Sequence, residues 1–218
     1  MFCRNLKNPV KLLVFDWDGT LANTTHLIVD AMMHAIEQLQ LPLRSEQQIR
    51  DIIGLGLNEA ATTLYPMITE ADMFALLDAY RGNYLQNARG RTSLFPDVLE
   101  TLEYFRSKNI YLAVATGKSR KGLNNSMNET GLNNYFNSSR CADETFSKPH
   151  PQMLLEIMDE LDVAAEQTLM VGDSIHDVMM AHNANVGCFA VTSGTQTRTD
   201  LEKLKPLGII DTVNELCQ

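Results

Sequence analysis

Four consecutive apolar residues, Leu12-Leu13-Val14-Phe15, run directly into Asp16-Trp17-Asp18-Gly19-Thr20-Leu21. An unbroken apolar run of this length reads as a strand buried on both faces, as in a parallel sheet covered by helices. Two carboxylates therefore leave the end of a hydrophobic strand and meet a glycine turn. In open α/β sheets this is where ligands bind. Burying one acid there is costly, and two repel by about 4 kcal/mol when about 4 Å apart at an effective dielectric near ~20. A cation or a proton between them relieves that cost. Taken alone, Asp-x-Asp-Gly is equally well explained as a solvated junction between strand and turn.

The rest of the chain extends the pattern. The 218 residues suffice for one large domain or one domain with a smaller insertion. Residues 22–88 are helical in texture: Ile28, Met32, Ala35, Ile36 and Leu39 share a helical face, and Ser45 with Gln48 forms a capping box for a short helix reaching Gly54. Thr69 with Asp72 opens another helix, with Phe74, Leu77, Tyr80 and Tyr84 aligned. From Leu94 onward helices and strands alternate, with strands over 110–115, 138–142, 168–171 and 188–191. This predicts a doubly wound parallel α/β sheet with an inserted helical cap: a core of residues 1–21 and 89–218, and a cap of residues 22–88.

A formal charge of −9 argues against binding nucleic acid or anionic membranes. Cys3, Cys141, Cys188 and Cys217 are scattered with no Cys-x-x-Cys pair, which suits free thiols in a reducing compartment. With no secretory signal and no apolar span, the expectation is a cytoplasmic monomer.

The other strand ends are also polar. Residues 110–115 lead into Thr116-Gly117-Lys118, which can cradle a phosphate or serve as an ordinary helix N-cap. Residues 168–171 lead into Gly172-Asp173-Ser174-Ile175-His176-Asp177, where Asp173 and Asp177 are one helical turn apart and offer oxygens to a hard cation such as Mg²⁺. Between these lies Ser147-Lys148-Pro149-His150-Pro151, a loop lysine followed by two prolines that fix the local backbone and can hold it in place.

Together, Asp-x-Asp-Gly-Thr, Thr-Gly, Lys-Pro and Gly-Asp-x-x-x-Asp, each at or near a strand end, resemble the haloacid dehalogenase superfamily and, within it, the phosphoglycolate phosphatase branch. The helical segment after the first strand is similar to that branch's mobile cap. The resemblance implies a Mg²⁺-dependent phosphatase acting on a small phosphomonoester, phosphoglycolate-like or a sugar phosphate. Asp16 would be the nucleophile that forms an aspartyl phosphate, and Asp18 the general acid and then base. Thr116 and Gly117 would bind the phosphoryl oxygens, and Lys148 would offset charge on both Asp16 and the phosphoryl group. Asp16, the Asp18 backbone carbonyl and Asp173 would hold the metal, with Asp177 as a further ligand or an orienter. One departure is visible. Many relatives carry Asp-Ser shortly after the first motif, and this chain has Asn23-Thr24, where Thr24 is expected to cap the first cap helix.

Relatives on the same fold are separated by residues. Dehalogenases lack the second acid, so Asp18 argues for phosphoryl chemistry. Phosphonatases use a cap lysine, and residues 22–88 contain none. A phosphosugar mutase resembling β-phosphoglucomutase would want basic cap residues; Arg44, Arg50 and Arg81 are the only arginines there. A non-catalytic binding module is the third possibility, and a retained set of costly charges argues against it. Trp17 is expected to point into the core, with only its N–H serving the site. Arg50, Asn58 and Glu59 are candidate cap contacts.

Overall fold

Apolar side chains along the central strands, pointing alternately to the two faces, explain the architecture of the computed structural model, which describes residues 9–88 and 90–217. Six strands form one fully parallel sheet: β1 (Leu12–Phe15), β2 (Tyr111–Thr116), β3 (Ser138–Cys141), β4 (Thr168–Gly172), β5 (Gly187–Val191) and β6 (Gly208–Ile210), in the order β3-β2-β1-β4-β5-β6. Leu13, Phe15, Leu112, Val114, Leu169 and Val171 point to one face, into a cluster that includes Trp17. Leu12, Val14, Ala113, Ala115 and Met170 point to the other. Both faces are buried, as continuous apolar strands require.

Helices α5 (Val98–Ser107), α6 (Arg120–Thr130), α7 (Gln152–Leu161), α8 (Ile175–Asn183) and α9 (Arg198–Lys203) cover the sheet. Gly131 ends α6 in the left-handed conformation at φ 75°, as a C-cap glycine should. The short elements α9 and β6 are absent from the sequence-based expectation. The parts of the core expectation covering residues 1–8, including Cys3, and residues 89 and 218 lie outside the described residues. Cys141 and Cys188 are buried free thiols.

Between β1 and α5 the chain builds four helices, α1 (Thr25–Gln38), α2 (Glu46–Arg50), α3 (Leu57–Leu64) and α4 (Glu70–Ala88), around an apolar cluster of their own. The Ser45–Gln48 capping box is present, and the Thr69 hydroxyl accepts the Asp72 N–H at 3.1 Å. The face of α4 differs from expectation in one place. Leu76, Leu77 and Tyr80 are buried, whereas Phe74 is 71% exposed, because α4 packs on α1 along the former stripe. No helix among the described residues is long and apolar enough to cross a membrane.

Candidate active site

The first acid is placed by the end of β1. The Asp16 N–H donates to the Val171 carbonyl at 2.9 Å, which ties β1 to β4 where both strands stop. Three amides, of Thr20, Leu21 and Ala22, then donate to the Trp17 carbonyl, and this coiled turn passes through Gly19 at φ +85°. That angle alone favours glycine. Space requires it as well, since a Cβ on Gly19 would lie 2.7 Å from the Asp173 Cγ. The Trp17 side chain is fully buried in the core, and its backbone N–H donates to Asp16 Oδ1 at 2.7 Å, as the extended backbone predicts.

Asp173 follows β4 immediately. Thr20 Oγ1 donates to its Oδ1 at 2.8 Å, while the Thr195 N–H and Oγ1 donate to its Oδ2 at 2.9 and 3.0 Å. The first and last sequence motifs are therefore joined directly. Asp177 sits in the first turn of α8 and forms a capping box with Ser174, whose N–H and hydroxyl both donate to Asp177 Oδ2. Its Oδ1 accepts from Lys148 Nζ at 2.6 Å.

Lys148 lies in the loop after β3, yet its side chain is entirely buried. Its ammonium is 2.8 Å from Asp16 Oδ1 as well as 2.6 Å from Asp177. Burial opposes this charge, but Asp16 and Asp177 outweigh it and hold the ammonium above the usual lysine range. The acids show the reverse balance. Burial pushes the Asp16 carboxyl well up; Lys148 pulls it back, and Asp177 and Asp173 raise it further. Burial, followed by the Asp177 charge, pushes Asp173 up to about 6.

Asp16, Asp173 and Asp177 each offer a carboxylate oxygen within 4.8 Å of the others. Three buried acids against one buried lysine leave an excess of negative charge. All the side-chain donors are hard oxygens, so the set fits a hard divalent cation. Asp177 already has one oxygen on Lys148 and the other on Ser174, so its local role is to orient both.

On the other side of Asp16 a cavity of about 230 Å³ opens beneath the helical insertion. Asp16, Asp18, Thr116, Gly117 and Lys118 line its floor. The insertion seats directly on this floor. A Cβ on Gly117 would collide with the Leu55 carbonyl and lie 2.6 Å from that of Gly54. The Gly56 N–H donates to Ser147 Oγ at 2.7 Å, next to Lys148. Gly54-Leu55-Gly56 is thus a tight turn facing the site.

Four residues behave differently from expectation. Thr24 does not cap α1 with its side chain; its hydroxyl donates a short hydrogen bond to Asp18 Oδ1. Of the candidate cap contacts, Arg50 pairs with Glu46 at 2.7 Å, and Arg50, Asn58 and Glu59 are not among the residues lining the cavity. His176 bridges to the insertion by contacting the Asp51 carbonyl at 3.0 Å, and His150 stacks on Phe146.

Lys118 is the residue that sequence reasoning missed. Its Nζ lies 3.1 Å from Asp18 Oδ1 and 3.2 Å from the Tyr84 hydroxyl, with the Tyr84 ring at 4.9 Å. Burial opposes its charge, but Asp18 and Tyr84 outweigh it and hold the ammonium above the usual range. The available signal was a lysine just past a strand end, facing an insertion that has none.

Residues 13–191 match the family model for haloacid dehalogenase-like hydrolases. The chain is 34% identical to the "Probable phosphatase IndB" of Dickeya dadantii over 94% of this chain and 91% of that one. It is 28% identical to the pyrophosphatase PpaX of Oceanobacillus iheyensis over 95% of each. The crystal structure of a predicted phosphoglycolate phosphatase from Haemophilus somnus superposes with a TM-score of 0.86 at 25% identity, covering 97% of this chain and 98% of that one. This chain therefore belongs to the haloacid dehalogenase-like hydrolases, in their phosphoglycolate phosphatase-like branch.

Proposed function

We propose that this phosphatase hydrolyses a small phosphomonoester in two displacements, with Mg²⁺ and with an aspartyl phosphate on Asp16 between them. The reading is carried by one observation: Asp16 and Asp18 line the same cavity as Thr116 and Gly117, while Lys148 braces Asp16 from behind. Asp16 Oδ1 is occupied by the Trp17 N–H and Lys148, whereas Oδ2 accepts no hydrogen bond from the described residues. Oδ2 attacks phosphorus, the ester P–O bond breaks, and Asp18 gives a proton to the leaving alkoxide. Asp18 then takes a proton from water, whose oxygen attacks phosphorus and displaces Asp16. Thr24 and Lys118 hold the Asp18 carboxyl in place through both steps. Thr116 and the amides that follow it receive the phosphoryl oxygens at the end of β2.

The metal would be held by Asp16, Asp173 and the Asp18 backbone carbonyl, with Asp177 orienting Lys148. When bound, Mg²⁺ neutralises the phosphoryl oxygens and lowers the repulsion met by an anionic nucleophile. Residues 22–88 act as the cap that excludes bulk water. Arg44 donates to the Leu64 carbonyl and lies over Tyr65, and Arg50 pairs with Glu46, so neither waits for the second phosphate that a mutase would hold.

The test is phosphate release from a panel of phosphomonoesters with Mg²⁺ and with chelator, for the parent chain and for Asp16→Asn. Metal-dependent release, an acid-stable phosphoryl adduct on the Asp16 peptide, and neither in Asp16→Asn are expected. Full activity in Asp16→Asn refutes the nucleophile. A requirement for a bisphosphate activator points to the mutase.

A further inference from the structure

The names of the relatives diverge on substrate, and the cavity speaks to it directly. Above the acids its walls are Met32, Ile53, Leu57, Ala60 and Tyr84, drawn from α1, the turn after α2, α3 and α4. We propose, resting on the phosphatase reading above, that the leaving group of the preferred substrate is an apolar alkyl or aryl body rather than a short carboxylate. A carboxylate next to the reacting ester would be stripped of water and would need a cation inside the cavity. The buried candidate, Lys118, already serves Asp18 and Tyr84. Arg81 and Lys121 also belong to the lining, but both are exposed, and an ion pair bathed in water adds little.

Size agrees with the chemistry. An apolar cavity of about 150 Å³ accepts benzene, and this one measures about 230 Å³. A phosphoryl group on the floor leaves room above it for a ring or a chain of several carbons. Each methylene fully buried against such walls is worth roughly fourfold in kcat/KM.

Ethyl phosphate, pentyl phosphate and 2-phosphoglycolate share a primary alkoxide leaving group and separate the possibilities. Their kcat/KM values are measured with Mg²⁺ at neutral pH. Pentyl phosphate is expected to exceed both others by tenfold or more, the ceiling for three buried methylenes being about 60-fold. Ile53→Ala and Leu57→Ala should each cut the pentyl-to-ethyl ratio at least threefold. Met67→Ala, on the outer surface, should leave the ratio unchanged. Phosphoglycolate preferred over pentyl phosphate, or equal rates for pentyl and ethyl phosphate, overturns the apolar leaving group and leaves the phosphatase standing. No release from any of the three, or from the wider panel, removes the phosphatase reading and this inference with it.

Discussion

Replacing Lys148 with methionine keeps most of the stem and deletes the charge that Asp16 and Asp177 share. At an effective dielectric of about 20, each contact, at 2.8 and 2.6 Å, represents about 6 kcal/mol of attraction before desolvation. The net loss is smaller, because a bare buried acid can take a proton. Protonating an aspartate of ordinary pKa at pH 7 costs about 4 kcal/mol, and at pH 5 about 1.5 kcal/mol. Broken buried pairs generally cost about 3–5 kcal/mol. The expected destabilisation of Lys148→Met is therefore about 4 kcal/mol at pH 7, falling by half or more at pH 5. Adding Asp177→Asn should restore part of it. Urea unfolding followed by the fluorescence of Trp17, the chain's one tryptophan, fully buried beside Asp16, reads the change. A loss below about 1 kcal/mol at pH 7, or an equal loss at both pH values, would refute the buried three-charge arrangement.

Three further outcomes follow from the geometry. Gly117→Ala drives a methyl group into the Gly54 and Leu55 carbonyls, so the insertion must lift; kcat/KM should fall at least tenfold with the unfolding midpoint little changed, and unaltered kinetics would show that this seating is dispensable. Asp18→Asn should lower kcat by roughly 10²–10⁴-fold on alkyl phosphates, with a smaller loss in the first half-reaction on para-nitrophenyl phosphate, whose leaving group needs no proton; equal losses in that step would count against the acid role. Asp173 is held up to about 6 when folded, against about 3.9 unfolded, so the folded metal-free chain carries the extra proton between these values. Its stability contribution therefore declines as pH rises through that window, and Mg²⁺ binding near pH 6 should release protons, detectable by calorimetry in buffers of different ionisation enthalpy. Binding without proton release would exclude Asp173 as a ligand.

The acids and the sheet were legible because both depend on short, local signals: apolar runs of strand length and charged residues at their ends. Lys148 was legible only in company, since nothing in a Ser-Lys-Pro loop says that the lysine will be buried to the last atom. Lys118 was not legible, because its partners come from the end of β1 and from α4, and only the seating of the insertion over the end of β2 brings Tyr84 to it. Thr24 reads locally as a helix cap, but the turn back from Gly19 to Ala22 sets its hydroxyl on Asp18 instead. Phe74 matched a helical stripe whose members Leu77 and Tyr80 are buried between α4 and its neighbours, but Phe74 itself lies off the packed face and stays exposed. β6 was hidden by its length, three residues between a turn and a 3₁₀ segment, below what periodicity can register.

Where the helical insertion meets Gly117, main chain rests on main chain with no side chain interposed. Such a joint carries no memory of which residues occupy the chamber wall. Substitutions at Met32, Ile53 or Leu57 can accumulate without moving this joint, so descendants of this chain are free to reshape the chamber while its floor stays where it was.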